Sequence, residues 1–312
     1  MPLERCLVTG GGGFIGSHLV EALLARGNAV RVLDDFSTGN RANLHVVENR
    51  IELLVGSVTD GDAVKRAVDG CRFVYHLAAL PSVVKSVEAP LLAHEICATG
   101  TLRVVEAARH AGVRRVVYAG SSSAYGDQPG AVRTEDDALQ PLSPYAAGKL
   151  AGEHYCACFT AVYGLETARL RFFNVFGPRQ DPKSPYSGVI ALFIAAMSAG
   201  KTPTIFGDGL QTRDFIYVAN VVEAMMQAAT APAAKGHVYN IGHGEGITVL
   251  DLVRHLNELL GTNLKPVHAA PRSGDVRFSQ ADISRARRDL GFDPQISFVE
   301  GLRRTLAWYR PA

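Results

Sequence analysis

Four consecutive glycines near the start of the chain constrain its fold more than any other feature of the sequence. They follow a short apolar run at residues 7–9, and residues 17–26 then carry apolar side chains with helical spacing. This order predicts a strand, a tight turn and a helix. Gly10, Gly13 and Gly16 stand three residues apart, which suits a turn that leaves the strand sharply and lets the helix pack close to the sheet. Free N–H groups at the start of such a helix favour an anion, above all a pyrophosphate.

An acidic residue after the second strand supports a nucleotide at this turn. A glycine-rich loop without a ligand would show the same spacing, so the surrounding sequence has to decide. Residues 28–33 predict a second strand that ends on Asp34. An acid at this place, about twenty residues past the glycines, holds the adenosine ribose hydroxyls of a dinucleotide. Because a carboxylate repels a 2′-phosphate, Asp34 favours NAD over NADP, whereas Arg41 nearby in the sequence would oppose that preference.

Size and composition indicate a globular enzyme. The 312 residues are 47% hydrophobic, which allows one long α/β domain or a domain with a lobe. The net charge of +2 and the scattered arginines argue against a general nucleic-acid surface. No apolar run is long enough to span a membrane and the chain starts directly in a strand, so we expect a cytoplasmic protein.

The cysteines and one histidine are assigned no chemistry. The five cysteines form no paired framework, and we interpret them as reduced and mainly structural. Cys156 and Cys158 lie two positions apart on a predicted helix, so their side chains diverge by about 200° and do not suit one zinc ion. No metal site is expected. His76 lies among apolar residues of a predicted strand, where a hydrogen-bonded core histidine is the more common case.

Strands and helices alternate along the first half of the chain. Strands are predicted at residues 51–55, 72–77 and 115–119, and helices at residues 60–68 and 89–111. Asp60 is the candidate N-cap of the first of these helices. The alternation predicts a parallel sheet with right-handed crossovers, which is a doubly wound α/β fold. Ala78 and Ala79 follow a strand, and such small residues leave room for a cofactor across its end.

Hydroxyl groups and a Tyr–Lys pair are predicted to face the same crevice as the glycine turn. Ser121, Ser122 and Ser123 follow the fifth strand, and Tyr145 and Lys149 share one face at the start of a helix. A free tyrosine, with a pKa of about 10, is a poor base at neutral pH. A nearby ammonium and a positive nicotinamide ring favour its phenolate. A Tyr and a Lys on an ordinary surface helix would be the alternative, but the serines and the glycine turn argue against it.

Together these motifs resemble the extended short-chain dehydrogenase/reductases, in the nucleotide-sugar 4-epimerase family related to UDP-galactose 4-epimerase. The resemblance covers essentially the whole chain and rests on residues 9–16, 34, 76–79, 121, 145, 149, 171–174, 213–218 and 272–275. It implies that Tyr145 removes the proton of the sugar C4 hydroxyl, that Ser121 bonds the same oxygen and that Lys149 holds the nicotinamide ribose. A hydride would leave C4 for NAD and return to the other face of a 4-keto sugar.

The resemblance implies NAD as the cofactor, bound by the glycine turn, the strand ends and the Tyr–Lys pair. The cofactor-binding residues would be Gly10, Gly13, Phe14, Ile15, Gly16, Asp34, Asp35, Ser37, Thr38, Gly39, Ser57, Val58, Leu77, Ala78, Ala79, Tyr145, Lys149 and Phe172. Two positions depart from the family pattern. Ser57 replaces an aspartate that bonds the adenine and Cys97 replaces an asparagine, so both polar contacts are weakened or replaced.

The resemblance also implies a UDP-sugar site. Its residues would be Ser121, Ser122, Ser123, Tyr145, Phe173, Asn174, Val189, Phe206, Gln211, Arg213, Arg272, Asp275 and Ser279. Phe173 would stack near the nicotinamide, and Asn174 would begin the nucleotide-sugar site. Arg213 and Arg272 would place their guanidinium groups on phosphate, and Asp275 would bond ribose hydroxyls.

Ser279 decides the predicted sugar. In the resembling epimerases a tyrosine at this position closes the wall near the C2 substituent, whereas a serine leaves room for an acetamido group. Residues 174–182 also resemble the members that act on N-acetylhexosamines. UDP-N-acetylglucosamine and UDP-N-acetylgalactosamine are therefore the predicted pair, with UDP-glucose and UDP-galactose accepted more weakly or comparably. If Ser279 only leaves a roomy pocket, simple hexoses are the main substrates, and UDP-glucuronate is a further alternative.

Two other functions compete with epimerisation. The 4,6-dehydratases of the family resemble Thr-Asp-Glu where this chain has Ser121, Ser122 and Ser123, and without the two carboxylates an elimination lacks its proton carriers. A dinucleotide-binding relative that no longer catalyses is the second alternative. The intact Ser121, Tyr145 and Lys149 argue against it.

Two interleaved domains and a homodimer complete the expectations. Residues 1–173 with a returning segment at 212–243 are predicted to form the NAD-binding domain, and residues 174–211 and 244–312 the UDP-sugar-binding lobe. The strands at 170–173, 215–218 and 238–242 are predicted to join the main sheet. Apolar residues on two helices exceed what one sheet face covers, and in the resembling family these helices pair with their copies. These residues are Leu91, Leu92, Ile96, Leu102, Val104, Val105, Leu150, Tyr155 and Phe159.

Overall fold

The computed structural model describes residues 4–181, 188–271 and 276–309. Within them the strands are, in chain order, β1 (Arg5–Thr9), β2 (Ala29–Asp34), β3 (Ile51–Val55), β4 (Phe73–His76), β5 (Arg115–Ser121), β6 (Val132–Arg133), β7 (Glu166–Phe172), β8 (Asn174–Phe176), β9 (Thr204–Phe206), β10 (Thr212–Arg213), β11 (Phe215–Tyr217), β12 (Val238–Ile241), β13 (Ile247–Thr248), β14 (Val267–Ala269) and β15 (Gln280–Ala281). The α-helices are α1 (Phe14–Ala25), α2 (Gly61–Val68), α3 (Val83–Glu88), α4 (Pro90–His94), α5 (Gly100–His110), α6 (Pro144–Tyr163), α7 (Val189–Ser198), α8 (Val218–Thr230), α9 (Val249–Leu260), α10 (Ser284–Leu290) and α11 (Phe298–Tyr309).

A seven-stranded parallel sheet forms the centre of the fold. Its strand order is β12-β7-β5-β4-β1-β2-β3, and every neighbouring pair is parallel. The order reverses between β1 and β4, so the carboxyl ends of these two strands border a crevice. The predicted doubly wound α/β fold is confirmed. The glycine turn follows β1 and therefore lies at this crevice.

Helices cover both faces of the sheet. On one face α2, α5 and α6 pack together, with Val64, Val104, Val105 and Phe159 among their buried residues. On the other face α1 and α8 pack together and belong to the larger core cluster. The predicted helix at 60–68 is confirmed as α2. Its predicted N-cap is confirmed as well, since Asp60 accepts hydrogen bonds from the backbone N–H groups of Asp62 and Ala63. Helix α1 begins at Phe14, three residues earlier than predicted.

The helix predicted at residues 89–111 contains a π-helical turn. Helix α4 begins at Pro90, residues Glu95–Thr99 form the π turn, and α5 ends at His110. One extra residue in this turn changes which side chains face the neighbouring α6. Such turns occur often beside functional sites. Ile96 and Cys97 lie in this turn and pack beside Ala79 and Tyr145.

One strand does not lie where the sequence pattern predicts it. The strand predicted at 215–218 does not join the main sheet, because β12 already pairs with the outer edge of β7. Strand β11 pairs instead with β8, and Phe215 stands opposite Asn174. The two strands continue beyond the carboxyl end of β7 and bring residues 212–217 toward the same side of the molecule as the glycine turn. The predicted domain division stays an interpretation, with this segment outside the main sheet.

The helices of the described residues include none that is long and apolar enough to cross a membrane. The predicted cytoplasmic location stays a prediction.

Candidate active site

The glycine turn brings the start of α1 against the end of β1. Gly10 has a φ of +72°, and a Cβ there would lie 2.7 Å from the backbone nitrogen of Ala78. A Cβ on Gly16 would collide with the carbonyl oxygen of Gly10, so this glycine lets the first turn of α1 pack on the loop. No side chain caps the helix at Gly13. The backbone N–H groups at this end therefore suit an anionic ligand in the crevice.

The Asp34 carboxylate is fixed at the end of β2. It accepts hydrogen bonds from the backbone N–H of Gly12 (2.7 Å) and of Phe36 (2.8 Å), which tie the strand end to the glycine turn. Burial raises the pKa of Asp34, and these two hydrogen bonds oppose the rise. Arg41 is paired with Glu48 at 2.5 Å, so its charge is directed to another carboxylate. This arrangement fits the predicted preference for NAD.

A single cleft collects the predicted cofactor residues. All eighteen of them line it, from Gly10 in the turn to Phe172 at the end of β7. Six further lining residues were not predicted: Leu33, Gly56, Pro81, Ile96, Ala119 and Gly120. Leu33, Gly56 and Gly120 each directly precede a predicted residue, and Ala119 stands one position earlier on β5, so the ends of the parallel strands were a usable signal for these four. Pro81 in a loop and Ile96 in the π turn carried no sequence signal.

Tyr145 and Lys149 enter the cleft from α6. Ser143 caps this helix by accepting a hydrogen bond from the backbone N–H of Ala146 (3.1 Å), which fixes Tyr145 in the first turn. Lys149 is buried, and its Nζ atom lies 4.6 Å from the centre of the Tyr118 ring. Both side chains line the cleft, as their four-residue spacing predicts.

The serines occupy the end of β5 and a 3₁₀ turn that follows it. Ser121 is the last residue of β5, and its hydroxyl forms a 2.8 Å hydrogen bond with that of Ser123 and accepts one from the Ser123 N–H (3.2 Å). Ser122 and Ser123 belong to the turn Ser122–Ala124. Ser121 also forms a side-chain hydrogen bond with Tyr145, which opposes the rise that burial causes in the pKa of this tyrosine. Tyr145 and Lys149 line the cleft, and Ser121 follows the lining residue Gly120 and bonds Tyr145, so the predicted trio lies together at this side of the cleft.

The protein alone does not supply the lowered tyrosine pKa that the sequence analysis expects. Enclosure in the cleft raises the pKa of Tyr145 to about 12, Cys97 adds to the rise, and the hydrogen bond from Ser121 opposes it. Burial also lowers the pKa of Lys149. The expectation includes the positive nicotinamide ring of bound NAD, so for the complete complex it stays a prediction. In that complex a positive ring beside the phenol would act with the Lys149 ammonium in favour of the phenolate.

His76 is a core residue, as expected. Its Nδ1 lies 2.7 Å from the Thr9 hydroxyl and its Nε2 lies 2.9 Å from the Thr101 hydroxyl. Burial lowers its pKa to about 3, so the ring is neutral.

Ser57 and Cys97, the two residues that depart from the family pattern, each have a contact within the chain. The Ser57 hydroxyl accepts a 3.0 Å hydrogen bond from Thr59, and Cys97 packs beside Tyr145.

Five of the predicted UDP-sugar residues fall into two groups. Phe173 and Asn174 follow β7 directly beside the cleft. Phe206, Gln211 and Arg213 lie together, because the Gln211 amide donates a 2.8 Å hydrogen bond to the Phe206 carbonyl and β10 contains Arg213.

Ser279, Val189, Arg272 and Asp275 complete the predicted set. Ser279 precedes β15, whose residue Ala281 donates a 3.0 Å hydrogen bond from its N–H to Asp214, next to Arg213. Val189 is the first residue of α7 and packs on the main core, and no described contact joins it to the cleft. Arg272 and Asp275 lie outside the described residues.

Metal chemistry has no support among the described residues. No group of three or more His, Cys, Asp or Glu side chains in ranges 4–181, 188–271 and 276–309 is arranged to hold a metal ion. All five cysteines are free, Cys156 is buried and Cys158 is exposed. The divergence of this pair is as predicted.

The chain matches one known protein family over most of its length. The sequence model of the NAD dependent epimerase/dehydratase family matches residues 6–242. The chain belongs to this family. A UDP-glucose 4-epimerase of Mycolicibacterium smegmatis is 42% identical over 310 residues, which cover 98% of each chain.

Two solved structures are also similar. A UDP-N-acetylglucosamine 4-epimerase from Methanobrevibacter ruminantium, in complex with UDP-N-acetylmuramic acid, superposes with a TM-score of 0.94 at 36% identity, over 99% of both chains. A UDP-glucose 4-epimerase of Thermus thermophilus, in complex with NAD, gives a TM-score of 0.89 at 38% identity, also over 99% of both chains.

NAD is the cofactor of this chain, as the family and the cleft both indicate. The residues fit the group, since the first turn of α1 offers backbone N–H groups to a pyrophosphate and Asp34 offers a carboxylate to the ribose. Ala78 and Ala79 leave space across the end of β4. The predicted cofactor is confirmed, and the contact of each lining residue with it stays a prediction.

Proposed function

We propose that the protein is a UDP-sugar 4-epimerase that uses NAD. One observation carries this proposal: Tyr145 and Lys149 line the NAD cleft and Ser121 bonds Tyr145 beside them, on the side of the sheet where Asn174 and Arg213 also lie. The similar relatives that act on UDP-glucose and UDP-N-acetylglucosamine support a UDP-sugar as substrate. Epimerisation needs a group that takes and returns one proton at C4, and this wall offers one.

Each residue of the wall has one part in the reaction. Tyr145, as the phenolate, accepts the proton of the C4 hydroxyl while the C–H bond at C4 breaks, which gives a 4-keto sugar. Ser121 donates a hydrogen bond to the C4 oxygen and keeps it beside Tyr145. Bound NAD supplies an acceptor for the hydride from C4 and afterwards a donor to the opposite face. Tyr145 then returns its proton to the oxygen, so the enzyme ends each cycle unchanged.

Lys149 supports the base by charge and position. Its ammonium is buried within the cleft wall, where low polarity strengthens its field. It favours the Tyr145 phenolate over the phenol, and it is placed to hold the nicotinamide ribose hydroxyls. Lys149 itself need not exchange a proton in this scheme.

A 4,6-dehydratase is less well supported. Elimination of water across C5 and C6 needs an acid and a base beside the sugar. The turn Ser122–Ala124 offers hydroxyl groups and no carboxylate at the end of β5. The products distinguish the two activities, because a dehydratase forms a deoxy-keto sugar whereas an epimerase forms the C4 epimer of its substrate.

The substrate pair that we propose is UDP-N-acetylglucosamine and UDP-N-acetylgalactosamine. The support is the position of Ser279 and the contacts that hold its segment. Ala281 donates its N–H to the Asp214 carboxylate, and the Asp214 carbonyl accepts a 2.9 Å hydrogen bond from the N–H of Asn174. Through Asp214, the segment that contains Ser279 is therefore connected to Asn174, which lies beside the cleft. A small side chain at this wall leaves volume for an acetamido group, and its hydroxyl can bond the amide.

Gln211 supports a polar ligand in the same region. Its side chain is 8% exposed, and its Oε1 atom has no hydrogen-bond partner in the part of the chain that the structure describes. A buried amide oxygen without a partner costs free energy that a donor on a ligand would offset. The N–H group of a uracil base or a sugar hydroxyl is a donor of this kind.

A panel of UDP-sugars tests the proposed function. Purified protein with NAD is incubated separately with UDP-N-acetylglucosamine, UDP-glucose and UDP-glucuronate, and the products are separated by chromatography. We expect the 4-epimer of the acetylated sugar to form fastest. Epimerisation of UDP-glucuronate alone would reject the substrate pair, and a lack of turnover with every UDP-sugar would favour the non-catalytic alternative.

We also propose a homodimer through α4 and α6. Leu91 and Leu92 are 84% and 50% exposed, and Tyr155 on α6 is 37% exposed. Helices α4 and α6 contact each other, so these side chains form one apolar surface. Not every residue named for this surface belongs to it. Val104, Val105 and Phe159 are buried within the chain, because α5 and α6 turn these side chains toward the sheet.

A further inference from the structure

A buried arginine outside the cleft connects the two elements that carry the proposed catalytic groups. Arg171 lies on β7, where it stands opposite Gly120 of β5, and it is 2% exposed. Its Nε and Nη2 atoms donate hydrogen bonds of 3.0 and 2.6 Å to the Glu153 carboxylate. Its Nη1 donates one of 2.8 Å to the Tyr125 hydroxyl. The guanidinium carbon also lies 4.8 Å from the centre of the Tyr125 ring.

The two partners of Arg171 belong to different halves of the site. Glu153 is on α6, four residues after Lys149 and eight after Tyr145. Tyr125 follows the turn Ser122–Ala124, and its backbone N–H donates a 3.1 Å hydrogen bond to the Ser122 carbonyl. The guanidinium therefore joins the helix of the base to the turn of the serines.

The far side of this network is fixed as well. The Tyr125 hydroxyl donates a 2.6 Å hydrogen bond to the Asn240 side-chain oxygen, and the Asn240 amide donates to the Arg133 carbonyl at 2.9 Å. Asn240 lies on β12 of the main sheet. Each donor and acceptor along this line is buried, so the geometry is held by hydrogen bonds that water does not replace.

We propose that Arg171 is a positioning residue that sets the distance between Ser121 and Tyr145. This inference rests on the proposed epimerase function. A planar guanidinium can hold a carboxylate with two hydrogen bonds and a hydroxyl with a third, and a lysine cannot reproduce that geometry. Arg171 does not line the cleft and does not touch the reacting atoms. It acts through the hydrogen bond between Ser121 and Tyr145, which depends on the relative placement of β5 and α6.

Arg171→Met tests this role against a matched control. Arg115 is an equally buried arginine on β5 that pairs with Glu166 of β7 at 2.7 Å, at the strand ends remote from the cleft. Arg115→Met removes an ion pair between β5 and β7, the strands that carry Ser121 and Arg171, and leaves the contact of β7 with Glu153 of α6 in place. We expect both variants to lose thermal stability. Only Arg171→Met should lower kcat, roughly 10- to 100-fold for a misplaced catalytic group, while KM changes less than about 2-fold.

A titration of Tyr145 gives a readout that does not depend on turnover. The tyrosinate difference spectrum of the NAD-loaded protein is measured against pH, and that of Tyr145→Phe is subtracted. We expect the midpoint to move to higher pH in Arg171→Met and to stay at the wild-type value in Arg115→Met, because only the first loses the Ser121 hydrogen bond. If the wild type turns over no UDP-sugar, the proposed function fails, and this titration still tests the positioning role.

Two further variants separate positioning from an unpaired charge. Arg171→Met/Glu153→Gln removes both charges, so recovery of wild-type kcat and midpoint would show that the stranded Glu153 carboxylate caused the loss and would overturn the proposal. A double variant whose kcat stays low supports the proposal.

Tyr125→Phe removes only the hydroxyl partner of Arg171 and replaces Arg171→Met in the test if that variant does not fold. It should lower kcat, whereas Tyr239→Phe, which loses a 2.9 Å bond to the Ala233 carbonyl, should not.

Wild-type kcat and an unchanged Tyr145 midpoint in Arg171→Met would also overturn the proposal. If Arg171→Met is insoluble, wild-type kcat and an unchanged Tyr145 midpoint in a folded Tyr125→Phe would overturn it instead.

Discussion

Tyr145 has to lose a proton in a place that disfavours its charge. Enclosure raises the pKa of the phenol to about 12 in the protein, whereas Ser121 opposes that rise through a hydrogen bond. Catalysis at neutral pH therefore needs a positive group beside the ring in the complete complex. Turnover should fall as the pH falls below the pKa of Tyr145 in that complex, because the protonated form cannot accept the C4 proton.

Tyr145→Phe removes the base and little else. We expect a folded protein that binds NAD and UDP-sugar with a turnover that is lower by roughly 10²–10⁴-fold, the usual contribution of one group that transfers a proton. The acid limb of the pH profile should disappear with it. Tyr163→Phe is the control, since this tyrosine lies at the exposed end of the same helix. Unchanged turnover in Tyr145→Phe would remove the proposed base.

Ser279→Tyr tests the proposed sugar. An aromatic ring at this wall fills the volume next to the C2 substituent, so the variant should lose turnover of UDP-N-acetylglucosamine and keep that of UDP-glucose. Ser279→Ala keeps the space and removes the hydroxyl, and it should retain both substrates with a higher KM for the acetylated one. The rates of both substrates are measured for each variant. The wall assignment fails if Ser279→Tyr still epimerises the acetylated sugar.

At the scale of elements, Asp214 joins three segments around the proposed sugar site. Its carboxylate is fully buried and accepts hydrogen bonds from the backbone N–H groups of His243 (2.6 Å), Gly244 (3.0 Å) and Ala281 (3.0 Å). Its own backbone carbonyl binds the N–H of Asn174, which anchors β8. The segment that carries Ser279 is thus held by a side chain that need not touch the sugar.

Asp214→Asn should loosen this segment. An amide offers one oxygen in place of two and turns an NH₂ group toward backbone donors, which leaves at least one buried N–H unpaired at a cost of about 1–3 kcal/mol. We expect a lower free energy of unfolding and a raised KM for UDP-sugar, with the affinity for NAD retained. Denaturant titration and steady-state kinetics measure the two effects. Asp293→Asn on the surface is the control, and an equal KM in both variants would contradict the role of Asp214.

The elements around NAD could be predicted from the sequence because their signals are local. The glycine spacing, the acid at the end of β2 and the small residues after β4 each reflect a contact of the backbone with a ligand or a neighbouring strand. The predicted cofactor residues consequently line one cleft. The sequence pattern predicts the start of α1 three residues too late. Phe14 and Ile15 directly follow the glycines, and no polar N-cap residue marks the first turn of the helix.

Other parts of the site depend on contacts between distant residues and had no local signal. The pairing of β11 with β8 follows from the occupation of the sheet edge by β12, which lies further along the chain. The link from Arg171 to Glu153 and Tyr125 spans 18 and 46 residues. A sequence motif marks Arg171 but does not show its partners. The pKa of Tyr145 likewise depends on enclosure, which spacing along a helix cannot report.

At the scale of the whole molecule, the exposed apolar surface of α4 and α6 is the feature that bears on assembly. Leu91 and Leu92 lie on α4, next to the π turn that carries Ile96 into the cofactor cleft. A partner on this surface would cover helices that also position Tyr145. Assembly and activity would then be linked through the same pair of helices.

Leu91→Glu/Leu92→Glu tests the dimer. Burial of one leucine side chain contributes about 1.5–3 kcal/mol, and a two-fold axis doubles the effect of every substitution. We expect the wild type to have the mass of a dimer by light scattering at micromolar concentration and the variant to have the mass of a monomer. Val46→Glu is the control, because Val46 is 77% exposed but lies between two 3₁₀ turns away from α4 and α6. A monomeric wild type would reject the dimer. A dimer that survives the double substitution would place the interface on another surface.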